Sequence, residues 1–323
     1  MNQIFLAAKA TFILLFCGYL SNTHAGSNTL SCALKTDQQY LGALPEFSHN
    51  TTPLLGYQCQ HIPYYSGFLG NWFPSLPNLY VSQSSRLLAI NSDSSEPATN
   101  DDSSQTWKVA FSIKRFGQSQ LSIFSGQKDW QRVLQAKENI TFIPSSAKNE
   151  NDGITINNRQ QAQFTRSETF FGLSLIFPYQ SDQKLTELRL QNTIINQPIQ
   201  ADIAQFDKHS LFPAQTTINE IMIVSQSHHR GLNINWKFGL GKGEVQLKPK
   251  RLLNINSDFN QIISLRSHIE LYYQYRINRR WMSHAGWKGD IHYWQQNTDN
   301  DDFKLASANA MEHQVFVGIG LTF

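Results

Sequence analysis

The stretch HQVFVGIGLTF alternates without a break. Val315, Val317, Ile319, Leu321 and Phe323 share one parity, and Gln314, Phe316, Gly318, Gly320 and Thr322 share the other. A repeat of two is that of a β-strand with different surroundings on its two faces. The pattern recurs upstream. TWKVAFSIK sets Trp107, Val109, Phe111 and Ile113 against Lys108, Ala110, Ser112 and Lys114. ETFFGLSLIFPY sets Phe171, Leu173, Leu175 and Phe177 against Phe170, Gly172, Ser174 and Ile176. GLNINWKFGLG sets Leu232, Ile234, Trp236, Phe238 and Leu240 against Asn233, Asn235, Lys237, Gly239 and Gly241.

Ten strands are read this way, at 79–90, 107–116, 119–126, 166–178, 184–195, 217–226, 231–247, 261–277, 281–294 and 311–323. Several exceed twice the ~5–6 residues usual in soluble proteins. A tilted bilayer crossing needs ~9–11 residues. The gaps between strands take turns, short then long, as the turns and outer loops of a membrane barrel do. A soluble β-sandwich would place turns every ~8–12 residues, which these strands do not. The expected fold is all-β: a transmembrane antiparallel up-and-down β-barrel of about ten strands. Eight to twelve fit, because 79–90 is poorly patterned and the gap 127–165 has room for two more.

Composition narrows the class. Charged residues are 16% and the net charge is +3, so no basic surface points to nucleic acid. A mean hydropathy of -0.38 excludes a helical membrane bundle but not a barrel, whose strands are only half apolar. Lys9, the apolar run ATFILLFCGYL and the small residues of SNTHAGS read as a secretory signal cleaved after Ala25. The expected organisation is a signal at 1–25, an N-terminal periplasmic or lumenal segment at 26–78, and the barrel at 79–323. Cys32 and Cys59 lie in that segment, and two cysteines in an exported chain most simply pair.

With these features the sequence resembles Gram-negative outer-membrane β-barrel proteins and, more weakly, solitary autotransporter-type or porin-like barrels. The resemblance covers about residues 79–323. In that class an apolar row ending on an aromatic is the address read by the barrel assembly machinery. Val315, Val317, Ile319, Leu321 and Phe323 match it. The resemblance implies residence in the outer membrane, among its lipid and lipopolysaccharide.

The inward row should carry the chemistry. If 278–280 form a turn, Glu270 stands opposite Lys288, His268 opposite Asp290, Arg266 opposite His292, and Tyr272 over Gly286. Lys237, Arg266, His268, Glu270, Lys288, Asp290 and His292 then face the lumen. Trp281, Trp287, Tyr273, Tyr275, Tyr293 and Phe323 face outward as aromatic belts. The first functional expectation is a narrow pore or uptake channel for small solutes or ions, with a charged, partly occluded lumen. The alternative is a non-conducting structural or surface-binding barrel acting through its long outer loops. A membrane hydrolase, with Ser264 and a histidine from another strand, comes third. No cofactor or metal is expected. His228 and His229 are adjacent and point apart on a strand, and His284 and His292 are about 27 Å apart along one.

Overall fold

The computed structural model describes residues 29–41, 44–48, 54–62, 78–89, 103–117, 119–179, 184–203, 206, 210–248, 260–297, 303–306 and 308–322. Its strands are β1 (Thr29–Leu41), β2 (Phe47–Ser48), β3 (Leu54–Ile62), β4 (Asn78–Ala89), β5 (Ser103–Phe116), β6 (Ser119–Ala136), β7 (Ile140–Phe142), β8 (Ile154–Ile156), β9 (Gln161–Tyr179), β10 (Lys184–Ile203), β11 (Ser210–His229), β12 (Leu232–Leu247), β13 (Gln261–Arg276), β14 (Trp281–Gln296), β15 (Phe303–Leu305) and β16 (Ala308–Thr322). Among the described residues, twelve of these form one antiparallel ring in the order β1, β3, β4, β5, β6, β9, β10, β11, β12, β13, β14, β16. The ring closes where β1 pairs with β16, from Thr29 opposite Thr322 to Leu41 opposite Ala310. Closure is what lipid demands, since an unpaired sheet edge has no water to bond.

All ten strands read from the alternation are present, and β1 and β3 are two more. Both fall within 26–78, so that segment contributes strands to the wall rather than standing wholly outside it. Their sequences hide them. After Leu34, β1 runs Lys35, Thr36, Asp37, Gln38 and Gln39 with no apolar row. The sheet partners on either side supply the order that the pattern lacks. The gap 127–165 holds no further wall strand: β6 runs on to Ala136, and β7 and β8 are short pieces of an outer connection.

The apolar row changes face part-way up the wall. Near the short turns it points outward: Phe171 and Leu173 on β9, Trp236, Phe238 and Leu240 on β12, Ile269 and Leu271 on β13. On β16, Val315, Val317 and Ile319 are 52%, 62% and 55% exposed. A contiguous belt of such side chains is intolerable in water and normal in lipid. Nearer the long connections the buried apolar residues take the opposite parity: Trp130 and Leu134, Phe164, Ile195 and Ile199, Phe212 and Ile218, Val245 and Leu247. Outside them the wall turns polar, with Gln163 and Thr165 on β9 and Lys242 and Glu244 on β12. The lower wall therefore has lipid outside and polar groups inside. The upper wall has water outside and an apolar core inside. At ~3.4 Å per residue and ~40° tilt, the eleven steps from Asn192 to Ile203 lift β10 about 29 Å beyond the apolar belt.

The β10–β11 hairpin outlasts its neighbours. Pairing with β9 ends at Asn196 and Ser167, and pairing with β12 ends at Ala214 and Leu247. Pieces of outer connections take the two freed edges. β15 pairs along Ala201–Ile203, and β7 meets Leu211. Gln296 holds β15 in place, donating to the Phe303 carbonyl at 3.2 Å and accepting from the Leu305 N–H at 3.0 Å. Phe303, Leu305 and Ile143 from these connections join Ile199, Phe212, Ile218 and Val245 in one buried cluster. Leu44 and Phe47 join Trp130, Leu134 and Phe164 in a second. Phe47 meets Phe164 edge-on with ring centroids 4.7 Å apart. Each fully buried apolar side chain of this size stabilises by roughly 1.5–3 kcal/mol.

Candidate functional site in the lumen

β13 and β14 pair in the register that their turn implied: Arg266 opposite His292, His268 opposite Asp290, Glu270 opposite Lys288, and Tyr272 opposite Gly286. A Cβ at Gly286 would collide with Tyr272, which occupies that space. All seven residues expected in the lumen lie on the inward parity of β12, β13 and β14. The structure gathers them into two layers.

The upper layer is a charged belt. Arg266 donates from Nη1 to Oε1 of Glu168 at 2.6 Å, and its Nε lies 3.3 Å from Oε1 of Glu220. Arg166 donates to the other oxygen of Glu168 at 3.0 Å. Glu220 also accepts from Thr193 at 3.2 Å and from Ser264 at 3.2 Å. Lys128 pairs with Glu312 at 3.5 Å, and the Gln314 amide donates to the same carboxylate. His268 Nδ1 meets Asp290 at 2.7 Å. These partners come from β6, β9, β10, β11, β13, β14 and β16, so the belt ties opposite walls together. Beside it lies a cavity of about 70 Å³ lined by Lys128, Arg166, Glu168, Arg266, Asp290, His292 and Glu312. It has room for about two waters.

Sequence reasoning found Arg266, His268, Asp290 and His292 but missed Lys128, Arg166, Glu168, Glu220 and Glu312. A signal existed for two of them. The inward parity of Phe170, Gly172 and Ser174 continues to Glu168 and Arg166. Ser264 and His292 do meet, Oγ to Nε2 at 3.1 Å. Ser264 is fully buried, and its hydroxyl hydrogen bonds to Glu220, so no substrate reaches it in this arrangement.

The lower layer is looser. Glu187 accepts both Nε and Nη2 of Arg189, at 2.8 and 3.0 Å. Glu270 accepts from Asn235 at 2.7 Å, and no ion pair joins it to Lys288. Lys108 Nζ lies 5.0 Å from the Phe124 ring centroid and Arg189 Cζ lies 4.8 Å from the same centroid. Lys237, opposite His268, has no hydrogen-bond or ion-pair partner among the described residues. No group of histidine, cysteine and acidic side chains among the described residues is arranged to hold a metal.

Outside, Tyr273, Tyr275, Trp281 and Trp287 are exposed on the outward parity. Cys32 is disulfide-bonded, and Cys59 stands at its register position on the neighbouring strand. Val315, Val317, Ile319 and Leu321 share the outward face of the closing strand; Phe323 lies outside the described residues. A closed ring with an apolar outer belt and a charged interior has one solvent that suits it. The protein is a transmembrane β-barrel.

Comparison with solved structures finds distant likenesses. An outer membrane channel from Pseudomonas putida F1 aligns with a TM-score of 0.37 at 8% identity, over 93% of this chain and 96% of that one. The translocator domain of the autotransporter NalP from Neisseria meningitidis aligns with a TM-score of 0.37 at 9% identity, over 100% and 97%. OmpT, an outer membrane protein of Vibrio cholerae, aligns with a TM-score of 0.34 at 8% identity, over 94% and 99%. No family model matches the sequence, and no curated protein does.

Proposed function

We propose that this barrel is closed to solutes at rest and acts at the cell surface through its protruding upper wall and long outer connections. One observation carries the reading. The upper lumen is occupied by two apolar clusters that include Ile143, Phe303, Leu305 and Phe47 from the connections themselves. A pore needs a continuous polar path, and hydrated ions do not enter a packed apolar core. Below the clusters, the Arg266–Glu168 and Lys128–Glu312 pairs cross the same lumen.

Single-channel recording of the refolded protein in a planar bilayer tests this. Silence from a folded barrel is the expected result. Steady ion-selective steps that change with substitution of Arg266 or Lys288 would return the reading to a narrow channel.

A further inference from the structure

Among the described residues the lower lumen carries more cations than acids. These cations are Lys108, Arg189, Lys237 and Lys288, and the acids are Glu187 and Glu270. Glu187 is taken by both donors of Arg189, and Glu270 accepts from Asn235. The nearest acid of the belt, Asp290, is bonded to His268. Lys108 and Arg189 both lie against the Phe124 ring, and the register sets Arg189 level with Met222 and Gly239, two residues from Lys237 on the same inward parity. Among the described residues, the ammonium groups of Lys108 and Lys237 thus have acids near them but no carboxylate in direct contact. Such charges are costly unless an anion joins them.

We infer that Lys108, Arg189 and Lys237 form a binding site for a small divalent oxyanion in the lower lumen. Tetrahedral oxygens can accept from two ammonium groups at once while Arg189 stays on Glu187. An ammonium donor to a charged oxygen is among the stronger hydrogen bonds available. The site lies on the side of the belt away from the apolar clusters, so a ligand would enter from the end with the short turns. The inference does not depend on whether the barrel conducts. A conducting barrel with this site and a silent barrel without it are both distinguishable outcomes.

The test uses the full chain refolded in a zwitterionic detergent, with inorganic phosphate as the probe. Titration calorimetry and thermal unfolding are compared with chloride at matched ionic strength. Phosphate should bind and raise the unfolding midpoint where chloride does not. Lys237→Gln and Lys108→Gln should each weaken phosphate binding about tenfold or more. Lys242→Gln, on the outer wall, should leave it unchanged. Without phosphate, Lys237→Gln should be no less stable than the parent, because it removes a charge without a partner. Phosphate acting no better than chloride on the parent overturns the inference, whatever the variants do. So does unchanged phosphate affinity in whichever of the two lysine variants folds.

Discussion

Arg266 on β13 reaches Glu168 on β9 across the lumen at 2.6 Å, although the two strands stand four places apart around the wall. The same guanidinium lies against Glu220, whose side chain is fully buried. One cation therefore compensates two acids at the centre of the barrel. Arg266→Met should leave Glu220 uncompensated and Glu168 with Arg166 alone, and cost ~3–5 kcal/mol of stability. The urea midpoint, followed by tryptophan fluorescence, should fall sharply. Adding Glu220→Gln to Arg266→Met should restore part of it. An unchanged midpoint in the single variant would mean the belt does not hold the walls together.

The outward row gives a second expectation. Ile269 and Leu271 are exposed on the lipid face of β13. Ile269→Asp or Leu271→Asp places a charge in hydrocarbon, a depth-dependent penalty below the ~2–4 kcal/mol of a basic residue at the midplane. Assembly into the outer membrane should drop for either, and Ser267→Ala should assemble normally. Normal assembly of all three would show that this face does not meet lipid.

Two phenylalanines at different heights should respond differently. Phe212 is fully buried in the upper core, while Phe171 is 51% exposed in the lower belt. Phe212→Ala should leave a cavity and cost ~3–5 kcal/mol. Phe171→Ala should cost much less, because lipid fills the space. Chemical unfolding of the two variants in one detergent compares them directly. Equal losses would argue against a core in the upper lumen.

A pH expectation arises in the connection between β6 and β9. The Asp152 carboxylate accepts the backbone N–H groups of Lys148 at 2.6 Å and Asn149 at 3.1 Å, which holds its pKa below the ordinary value. A lowered folded pKa gives a contribution present above the unfolded value and lost as pH falls through the folded one. Protection of the Lys148 and Asn149 amides, relative to their intrinsic exchange rates, should persist as pH drops to the ordinary carboxylate range. It should fall only below that range. Asp152→Asn should flatten the profile, and a parent profile that is already flat would refute the link.

The disulfide offers a fifth check. Cys32 is bonded, and Cys59 is the residue across from it on β3. Peptide mapping without reductant should recover 32 and 59 in one linked fragment. Reduction should cost about 3.5 kcal/mol for a closed loop of this length. Separate peptides would exclude the pairing.

The lower wall was legible because lipid and lumen impose opposite tastes on neighbouring residues. Phe171, Leu173 and Leu175 announce a strand without any knowledge of their partners. The upper wall was not, because there the rule reverses. Ile195 and Ile199 sit on the parity opposite to Leu188 and Leu190, and the join reads as the end of a strand. β1 and β3 lack a sustained row altogether. Within the site, the β13–β14 register followed from a short turn, which fixes two adjacent strands locally. Glu168 and Glu220 could not be matched to Arg266 in that way. Their meeting depends on the curvature and closure of the whole ring, which no local spacing encodes.

The reversal of the apolar row also decides how the molecule will behave once extracted. A detergent belt should cover only the lower wall, where Trp236, Phe238 and Leu240 face out, and leave the wall beyond Lys242 bare. A particle so built is half micelle and half ordinary soluble protein. Its bare half offers rigid, polar ground on which antibodies, or neighbours in a crystal, can take hold.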